Sequence, residues 1–299
     1  MKNPRMRAKE WILLLILSLL WGGSFFFTKI VLRDLQPFTV VLGRVSFAAI
    51  ALISFVYLSG RQIPVSPRMW RAFLAMGALN NLIPFSLIVW GQTQIDSSLA
   101  AILNATTPLF TVVLAHLLTH DERLTINRLF GVLIGLCGVV VLVGPEVLHG
   151  IKLRSLGLFA IIGAAFSYSC AGIYGRRFQE LSPVVVSAGI LASTTVMILP
   201  LALILEQPWT LRPSTITWGA LLILGLCNTA IAYLIYFRIL SVAGATNLSL
   251  VTFLIPISAL LLGVFILGER LDWTAFAGMA FILIGLTAID GRLFQQSRR

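Results

Sequence analysis

The chain has 299 residues, of which 58% are hydrophobic and only 11% are charged, and its formal net charge at pH 7 is +11. So much apolar surface cannot be hidden inside a water-soluble domain of this length, so the composition excludes a soluble enzyme or a soluble nucleic-acid-binding module. The mean hydropathy of +0.96 indicates an integral membrane protein instead.

Ten apolar segments follow one another along the chain. A hydrocarbon core of ~30 Å is crossed by ~20 helical residues, and segments of that size are expected at about 11–31, 39–59, 70–90, 98–118, 127–143, 153–175, 182–205, 216–236, 246–267 and 274–290. The connections between them are short. The sequence therefore predicts an all-α integral membrane protein with ten transmembrane helices and no soluble domain for a separate site.

The positively charged residues predict the orientation of these helices. The N-terminal stretch MKNPRMRAKE is basic and has no small-residue cleavage site after its apolar run, so we expect a retained first helix. With the N-terminus in the cytoplasm, fifteen of the 22 Lys and Arg residues fall on the inner side and six on the outer side. Both termini are therefore predicted to lie in the cytoplasm. The protein itself is predicted to lie in the cell inner membrane.

Two stretches of the chain resemble each other. The segment ERLTINRLFGVLIGLCG begins at Glu122 and ERLDWTAFAGMAFILIG begins at Glu269, a distance of 269 − 122 = 147 residues. The same offset brings Asn81 onto Asn228. A match at one offset through most of a half-chain indicates an internal duplication.

The duplication predicts two repeats of opposite orientation, residues 1–146 and residues 147–299. Each repeat holds five helices, and because five is odd, the second repeat enters the membrane upside down. Inverted repeats are related by a pseudo-two-fold axis in the membrane plane, and transporters use them to open alternately around a site near the midplane. The sequence therefore predicts a transporter.

A resemblance to a known family supports this interpretation. The stretch LSLLWGGSFFFTKIVLRDLQPFTVVLGRVSFAAIAL and the ERLT and GERLD hairpins resemble the EamA-type branch of the drug/metabolite transporter superfamily, through Trp21, Gly22, Ser24, Phe25, Lys29, Pro37 and Arg44. The resemblance covers essentially the whole chain. The chain is similar above all to the bacterial exporters of aromatic and neutral amino acids, and this resemblance implies an amino-acid exporter.

Polar residues form a stripe on the fourth helix and a shorter counterpart on the ninth. The two sets are Asn104, Thr107, Pro108 and Thr111, and Ser249, Thr252 and Pro256. Each proline lacks an N–H and frees the carbonyl four residues before it, on Asn104 and Thr252. We predict that Asn104, Thr107 and Thr252 bind substrate and that Pro108 and Pro256 are hinges. The alternative is a pair of ordinary kinks whose carbonyls are satisfied by neighbouring helices.

Further candidates come from the first, third, sixth and eighth helices. The two equivalent asparagines are predicted to line the cavity, with Phe85 and Ile88 beyond the first and Ala232 and Ile235 beyond the second, although plain hydrogen bonds between helices would also explain them. Aromatic and hydroxyl side chains complete the predicted substrate-binding set, which is Trp21, Ser24, Asn81, Phe85, Asn104, Thr107, Tyr168, Asn228, Tyr233 and Thr252.

Two basic residues lie inside or beside the predicted helices. Arg44 is about two turns inside the second helix, and we expect its side chain to reach outward to lipid headgroups or to Asp34. Lys29 is interpreted in the same way, as a structural anchor. Attraction of a substrate carboxylate to this end of the helices is the alternative.

Charged residues that are missing from particular helices restrict the class of substrate. The ninth and tenth helices carry no Lys or Arg within the bilayer, where a sugar phosphate would need paired cations, and the first carries no carboxylate for a cationic drug. Neutral or zwitterionic metabolites, amino acids above all, fit best.

We expect lipids as the surroundings, no nucleic-acid partner, no cofactor, and a monomer or a homodimer. Because all eleven acidic residues fall in loops or near helix ends, we expect transport without proton coupling.

The hypothesis that competes with a transporter is an enzyme embedded in the membrane. A membrane-embedded lipid-modifying enzyme would use the one dense ionisable cluster, His116 to Arg123. A metal site there would need three or four converging ligands, so none is predicted. The cysteines Cys137, Cys170 and Cys227 lie on different helices and are expected to be packing residues.

Overall fold

The computed structural model describes residues 8–118, 125–148, 152–178 and 180–290. Within these ranges the chain consists of helices joined by short connections. The first repeat is formed by Ala8–Val31, Pro37–Leu58, a third helix composed of Pro67–Gly77, Ala78–Leu82 and Ile83–Gly91, a fourth composed of Ser97–Asn104 and Thr107–Leu118, and Ile126–Leu148.

The second repeat has the same order of five helices. The sixth helix is Leu153–Tyr174, extended by a 3₁₀ turn at Gly175–Phe178, and the seventh is Pro183–Leu205, followed by a short turn at Pro208–Thr210. The eighth is composed of Thr215–Leu222, Ile223–Ile231 and Ala232–Leu248, the ninth is Val251–Phe265 and the tenth is Trp273–Asp290.

The helices match the segments expected from hydropathy. Eight spans are long and apolar enough to cross a membrane, and the ninth and tenth helices are apolar but shorter. Each of the ten predicted segments overlaps one of these helices. The all-α membrane fold with ten helices is therefore confirmed for the described part of the chain.

The third and eighth helices share a local distortion. Ala78–Leu82 and Ile223–Ile231 are π-helical, and they contain the equivalent residues Asn81 and Asn228. In the third helix Pro84 cannot donate an N–H to the carbonyl four residues back, which favours the wider turn. Such π-helical turns are frequent at functional sites.

The fourth helix is interrupted before Pro108, whereas the ninth is continuous through Pro256. The hydroxyl of Thr107 donates to the carbonyl of Asn104 at 2.8 Å and so satisfies the group that Pro108 leaves free. The two proline positions therefore differ in local structure. Their role as hinges stays a prediction.

The fifth and tenth helices pack together through glycines. A β-carbon on Gly131 would lie 2.6 Å from the carbonyl oxygen of Gly285, and one on Gly138 would lie 2.7 Å from that of Gly278. These contacts are equivalent, because the offset of 147 carries Gly131 onto Gly278 and Gly138 onto Gly285. Small residues allow membrane helices to approach closely, and here they join the two repeats symmetrically.

Candidate functional site

A cavity of about 580 Å³ lies between the two repeats. All the membrane helices except the fifth and the tenth contribute to its lining, which combines aromatic rings with hydroxyl and amide groups. Ligand pockets are typically ~300–1,000 Å³ in volume. The cavity is therefore large enough for a small organic solute.

Eight of the ten predicted substrate-binding residues line this cavity. They are Trp21, Ser24, Phe85, Asn104, Thr107, Tyr168, Tyr233 and Thr252. They come from both repeats and from six helices, so the fold brings together what the sequence separates by more than 200 residues. Ile88 also lines the cavity, whereas Ala232 and Ile235 do not. That these residues bind substrate stays a prediction.

Asn81 lies behind the cavity and not in its lining. Its side chain is fully buried, its Oδ1 accepts hydrogen bonds from Asn80 Nδ2 at 3.0 Å and from the Tyr233 hydroxyl at 3.3 Å, and its Nδ2 donates to Thr194 Oγ1 at 3.3 Å. The expected position in the lining is wrong by one residue, because the π-helical turn directs Asn80 to the cavity instead. Asn81 orients two side chains that do line it.

Asn228 also lies outside the lining. Its Nδ2 donates to the carbonyl of Leu20 at 2.5 Å, and its Oδ1 is buried without a hydrogen-bond partner among the described residues. A hydrogen bond between helices was the alternative to a position in the cavity lining, and Asn228 makes such a bond. It connects the eighth helix to the first, next to Trp21.

Arg44 is a lining residue that the sequence interpretation placed elsewhere. Its side chain is only 7% exposed, because it shares the buried face of the second helix with Val40 and Ala48, one turn before and one turn after it. Its Nε donates to Thr229 Oγ1 at 3.0 Å, and the guanidinium carbon lies 3.9 Å from the centroid of the Phe85 ring. The expected outward position is therefore wrong.

Asp34, one of the two partners that we expected for Arg44, makes other contacts. Its carboxylate accepts from Ser214 N at 2.9 Å and from Thr217 Oγ1 at 2.5 Å, at the start of the eighth helix. The hydrogen bond from Thr217 and those from Ser214 lower the pKa of Asp34, although burial opposes them. The carboxylate caps a helix and is occupied there.

Further charged side chains cap helix ends on the same side of the molecule. The carboxylate of Glu269 accepts from Ser97 N at 2.8 Å, Ser97 Oγ at 2.6 Å, Ser98 N at 3.0 Å and Ser98 Oγ at 2.5 Å. Burial alone would raise the pKa of Glu269, but these hydrogen bonds outweigh it and lower the pKa. A carboxylate at a helix N-terminus is also favoured by the helix dipole.

Two more contacts complete this side. Glu206 accepts from Phe38 N at 2.8 Å and from Thr39 N at 2.6 Å, at the start of the second helix. Lys29 Nζ donates to the carbonyls of Gln92 at 2.8 Å and Ile95 at 2.9 Å, after the end of the third helix. The position of Lys29 is that of a structural anchor. We call this side, where the first helix ends, the closed end.

The cavity extends towards the opposite side, where the first helix begins. There its lining reaches the ends of the sixth and seventh helices, at Phe178 and Pro183, and Leu240 of the eighth. Gly172 and Pro183 are exposed. We call this side the open end.

The described residues offer no alternative centre for metal chemistry. They contain no group of three or more His, Cys, Asp or Glu side chains that could hold a metal ion. Cys137, Cys170 and Cys227 are free thiols. The part of the His116 to Arg123 cluster from residue 119 onwards lies outside the described residues.

Comparisons with known proteins agree with this architecture. A model of the EamA-like transporter family matches residues 9–144 and again residues 155–289. The chain is 25% identical over 292 residues to a protein of Escherichia coli named "Probable amino-acid metabolite efflux pump", covering 94% of each chain. It is 23% identical over 284 residues to the uncharacterized transporter YoaV of Bacillus subtilis, covering 93% of this chain and 96% of that one.

Two further matches concern the membrane and the fold. The uncharacterized inner membrane transporter YedA of Escherichia coli is 27% identical over 281 residues, covering 92% of this chain and 89% of that one. A solved crystal structure matches with a TM-score of 0.68 at 21% identity, covering 97% of this chain and 99% of the other. At this identity the match shows the shared fold alone.

Proposed function

The chain belongs to the EamA-like transporter family, and from that premise we propose that it exports neutral or zwitterionic small metabolites, above all amino acids including aromatic ones, across the cell inner membrane. The relative named as a probable amino-acid metabolite efflux pump supports the substrate class, and the relative named as an inner membrane transporter supports the location.

The observation that carries the proposal is the composition of the cavity. Rings of Trp21, Phe85, Tyr168 and Tyr233 provide apolar surface. The amide oxygen of Asn80 provides an acceptor within the same space, while its Nδ2 already donates to Asn81 Oδ1 and to the Tyr233 hydroxyl. A solute with a large apolar or aromatic part and a small polar end satisfies both kinds of surface. Amino acids with large side chains have this form.

Alternating access is the proposed mechanism. The cavity reaches the open end, while the contacts of Glu269, Glu206, Asp34 and Lys29 hold helix ends together at the closed end. In an inverted repeat, an exchange of the conformations of the two halves closes one end and opens the other. We propose that the open end faces the cytoplasm and that the helices bend near the prolines of the fourth and ninth helices.

We also propose that transport runs down the substrate's own gradient. Carriers coupled to protons relay them through carboxylates or histidines embedded in the membrane, and no Asp, Glu or His lines the cavity. Burial, followed by the charge of Glu269, raises the pKa of Asp96, but this residue precedes the fourth helix at the closed end and is not part of the lining. The cavity as described therefore has no proton carrier.

Counterflow in proteoliposomes tests the proposal. Purified protein is screened for exchange of labelled amino acids, nucleosides, sugars and organic cations, and we expect exchange of amino acids with large apolar side chains. Gly172→Trp should block this exchange. Gly172 lines the cavity, and a β-carbon there would meet no atom within 4 Å, so the large side chain fits without displacing a helix and fills part of the cavity.

Gly219→Trp is the matched control. A β-carbon on Gly219 also meets nothing within 4 Å, but this residue is not in the lining. Absence of amino-acid exchange, or unchanged exchange in folded Gly172→Trp protein, would contradict the proposed function.

A further inference from the structure

We infer that Arg44 binds the carboxylate of the transported solute inside the cavity, so that the transporter accepts carboxylates and zwitterions and rejects the corresponding amines. This inference rests on the proposed function, because it specifies the substrate chemistry of the same cavity. Arg44 is then the residue that decides between carboxylates and amines, a choice that the rest of the lining does not make.

The charge of Arg44 has no counter-charge beside it. Among the residues that line the cavity, Arg44 is the only one with a charged side chain, and no carboxylate of the described residues forms an ion pair with it. Holding an unpaired ion away from water costs several kcal/mol in proteins. A solute carboxylate beside the guanidinium offsets that cost.

The guanidinium is held in place and keeps free donors. The Nε–H is used by Thr229, and the ring of Phe85 packs against the planar group. A guanidinium has five N–H donors, and those of its two terminal nitrogens have no partner among the described residues. A fixed guanidinium with two free nitrogens suits a carboxylate, which it binds through two parallel hydrogen bonds.

The charge is confined to one half of the cavity. Pro37 and Pro183 begin the second and seventh helices, so these two helices correspond at an offset of 146. At this offset the residue equivalent to Arg44 is Ile190, which also lines the cavity and is apolar. A solute that places its carboxylate at Arg44 therefore directs its other end towards rings and aliphatic groups. The asymmetry gives the solute one preferred orientation.

The cavity treats an ammonium group differently. The lining contains no carboxylate to pair with it, so a bare amine would bring a second positive charge near the buried guanidinium of Arg44. A zwitterion avoids this penalty, because its carboxylate neutralises Arg44. Asn104 lines the cavity, and its side-chain oxygen is buried without a hydrogen-bond partner among the described residues, so this side chain has an unused acceptor for the ammonium once it turns towards the solute.

Competition among three solutes tests the inference. L-phenylalanine, 3-phenylpropionate and phenethylamine share a ring and a short chain, and they carry respectively both charges, the carboxylate alone and the ammonium alone. In counterflow with reconstituted wild-type protein, we expect the first two to compete for exchange and the amine to be at least about tenfold weaker, the factor that one lost hydrogen bond to a charged group produces.

Substitutions at Arg44 make the test specific. Arg44→Gln should remove the preference for the acid over the amine, and Arg44→Lys should retain it in part, because a lysine keeps the charge but not the paired donors. Arg61→Gln is the matched control, since Arg61 is exposed, donates to Ser182 Oγ and is not in the lining. Elution of each variant as a folded monodisperse protein is checked first.

The outcomes separate the inference from the proposed function. Equal competition by amine and acid in wild-type protein, or an unchanged preference in Arg44→Gln, overturns the inference, while exchange of L-phenylalanine leaves the proposed function standing. Exchange of 3-phenylpropionate but of no amino acid, abolished in Arg44→Gln, supports the inference and overturns the proposed function. If Arg44→Gln does not fold, the wild-type series and Arg44→Lys decide.

Discussion

Replacing Gly263 by alanine tests whether Glu269 holds the closed end of the cavity shut. A β-carbon on Gly263 would lie 2.1 Å from Ser98 Oγ and 2.3 Å from Glu269 Oε2, which is too short for any real contact. The hydroxyl and the carboxylate therefore have to move away. Because both atoms end flexible side chains, they can do so without displacing the ninth helix, and the substitution disrupts the contact and not the fold.

The magnitude follows from the hydrogen bonds at this contact. The carboxylate of Glu269 accepts four of them from Ser97 and Ser98, and a hydrogen bond to a charged group contributes about 1.5–3 kcal/mol. Loss of the bond from the Ser98 hydroxyl alone would shift the equilibrium between closed and open conformations by about 10- to 150-fold towards opening.

Cysteine accessibility measures this shift. Thr28 is 1% exposed and lines the cavity, one turn before the end of the first helix. In protein without its three native cysteines, Thr28→Cys should react with a membrane-impermeant maleimide added at the closed end only while that end is open. We expect Gly263→Ala to accelerate the reaction by about 10- to 150-fold and Gly219→Ala to leave it unchanged. An unchanged rate in folded Gly263→Ala protein would refute the role given to Glu269.

Four further predictions concern topology, packing, pH and energy. Single cysteines at Thr125 and Asp272, which are equivalent at the offset of 147, should be labelled from opposite sides of the membrane; labelling from one side would contradict the inverted repeat. Asn81→Leu removes the acceptor of the Tyr233 hydroxyl and should slow exchange severalfold without loss of folded protein, as judged against Leu87→Ile, which should be nearly silent. Burial raises the pKa of Glu269, but its hydrogen bonds lower the pKa by more, so the net shift is downwards. The stabilisation from Glu269 is therefore complete above the ordinary carboxyl pKa and is lost as pH falls through the lowered value. The melting temperature of wild-type protein should approach that of Glu269→Gln in acid, and a constant difference between the two would argue against this. Finally, a pH gradient imposed on proteoliposomes at fixed membrane potential should drive no uphill accumulation of substrate, and such accumulation would show proton coupling.

The helices could be predicted because the membrane imposes a simple requirement on the sequence. A span needs about 20 apolar residues wherever it occurs, so the hydropathy pattern located all ten segments. The eighth helix continues to Leu248, beyond its expected end at about residue 236. The duplication could be predicted because the segments that begin at Glu122 and Glu269 share their first three residues and two glycines at the same spacing. Neither inference depends on how side chains are oriented.

The cavity was harder to predict because helical rotation decides which residues face it. An α-helical register places Asn81 on the lining, but the π-helical turn inserts an extra residue and directs Asn80 there instead. Arg44 was misplaced because the sequence shows its depth in the membrane but not its face. Its position one turn from Val40 and one turn from Ala48 identifies the buried face only when the packing of the second helix is known.

The paired glycine contacts between the fifth and tenth helices have a consequence for the ancestry of the chain. A self-complementary contact requires only one sequence, so a single five-helix polypeptide inserted in both directions could already have formed the junction that Gly131 and Gly285, and Gly138 and Gly278, form now. In such an ancestor every substitution would have appeared at two places at once. Gene duplication removes that restriction, and only two separate copies of the sequence, here joined in one chain, can carry an arginine at position 44 opposite an isoleucine at position 190.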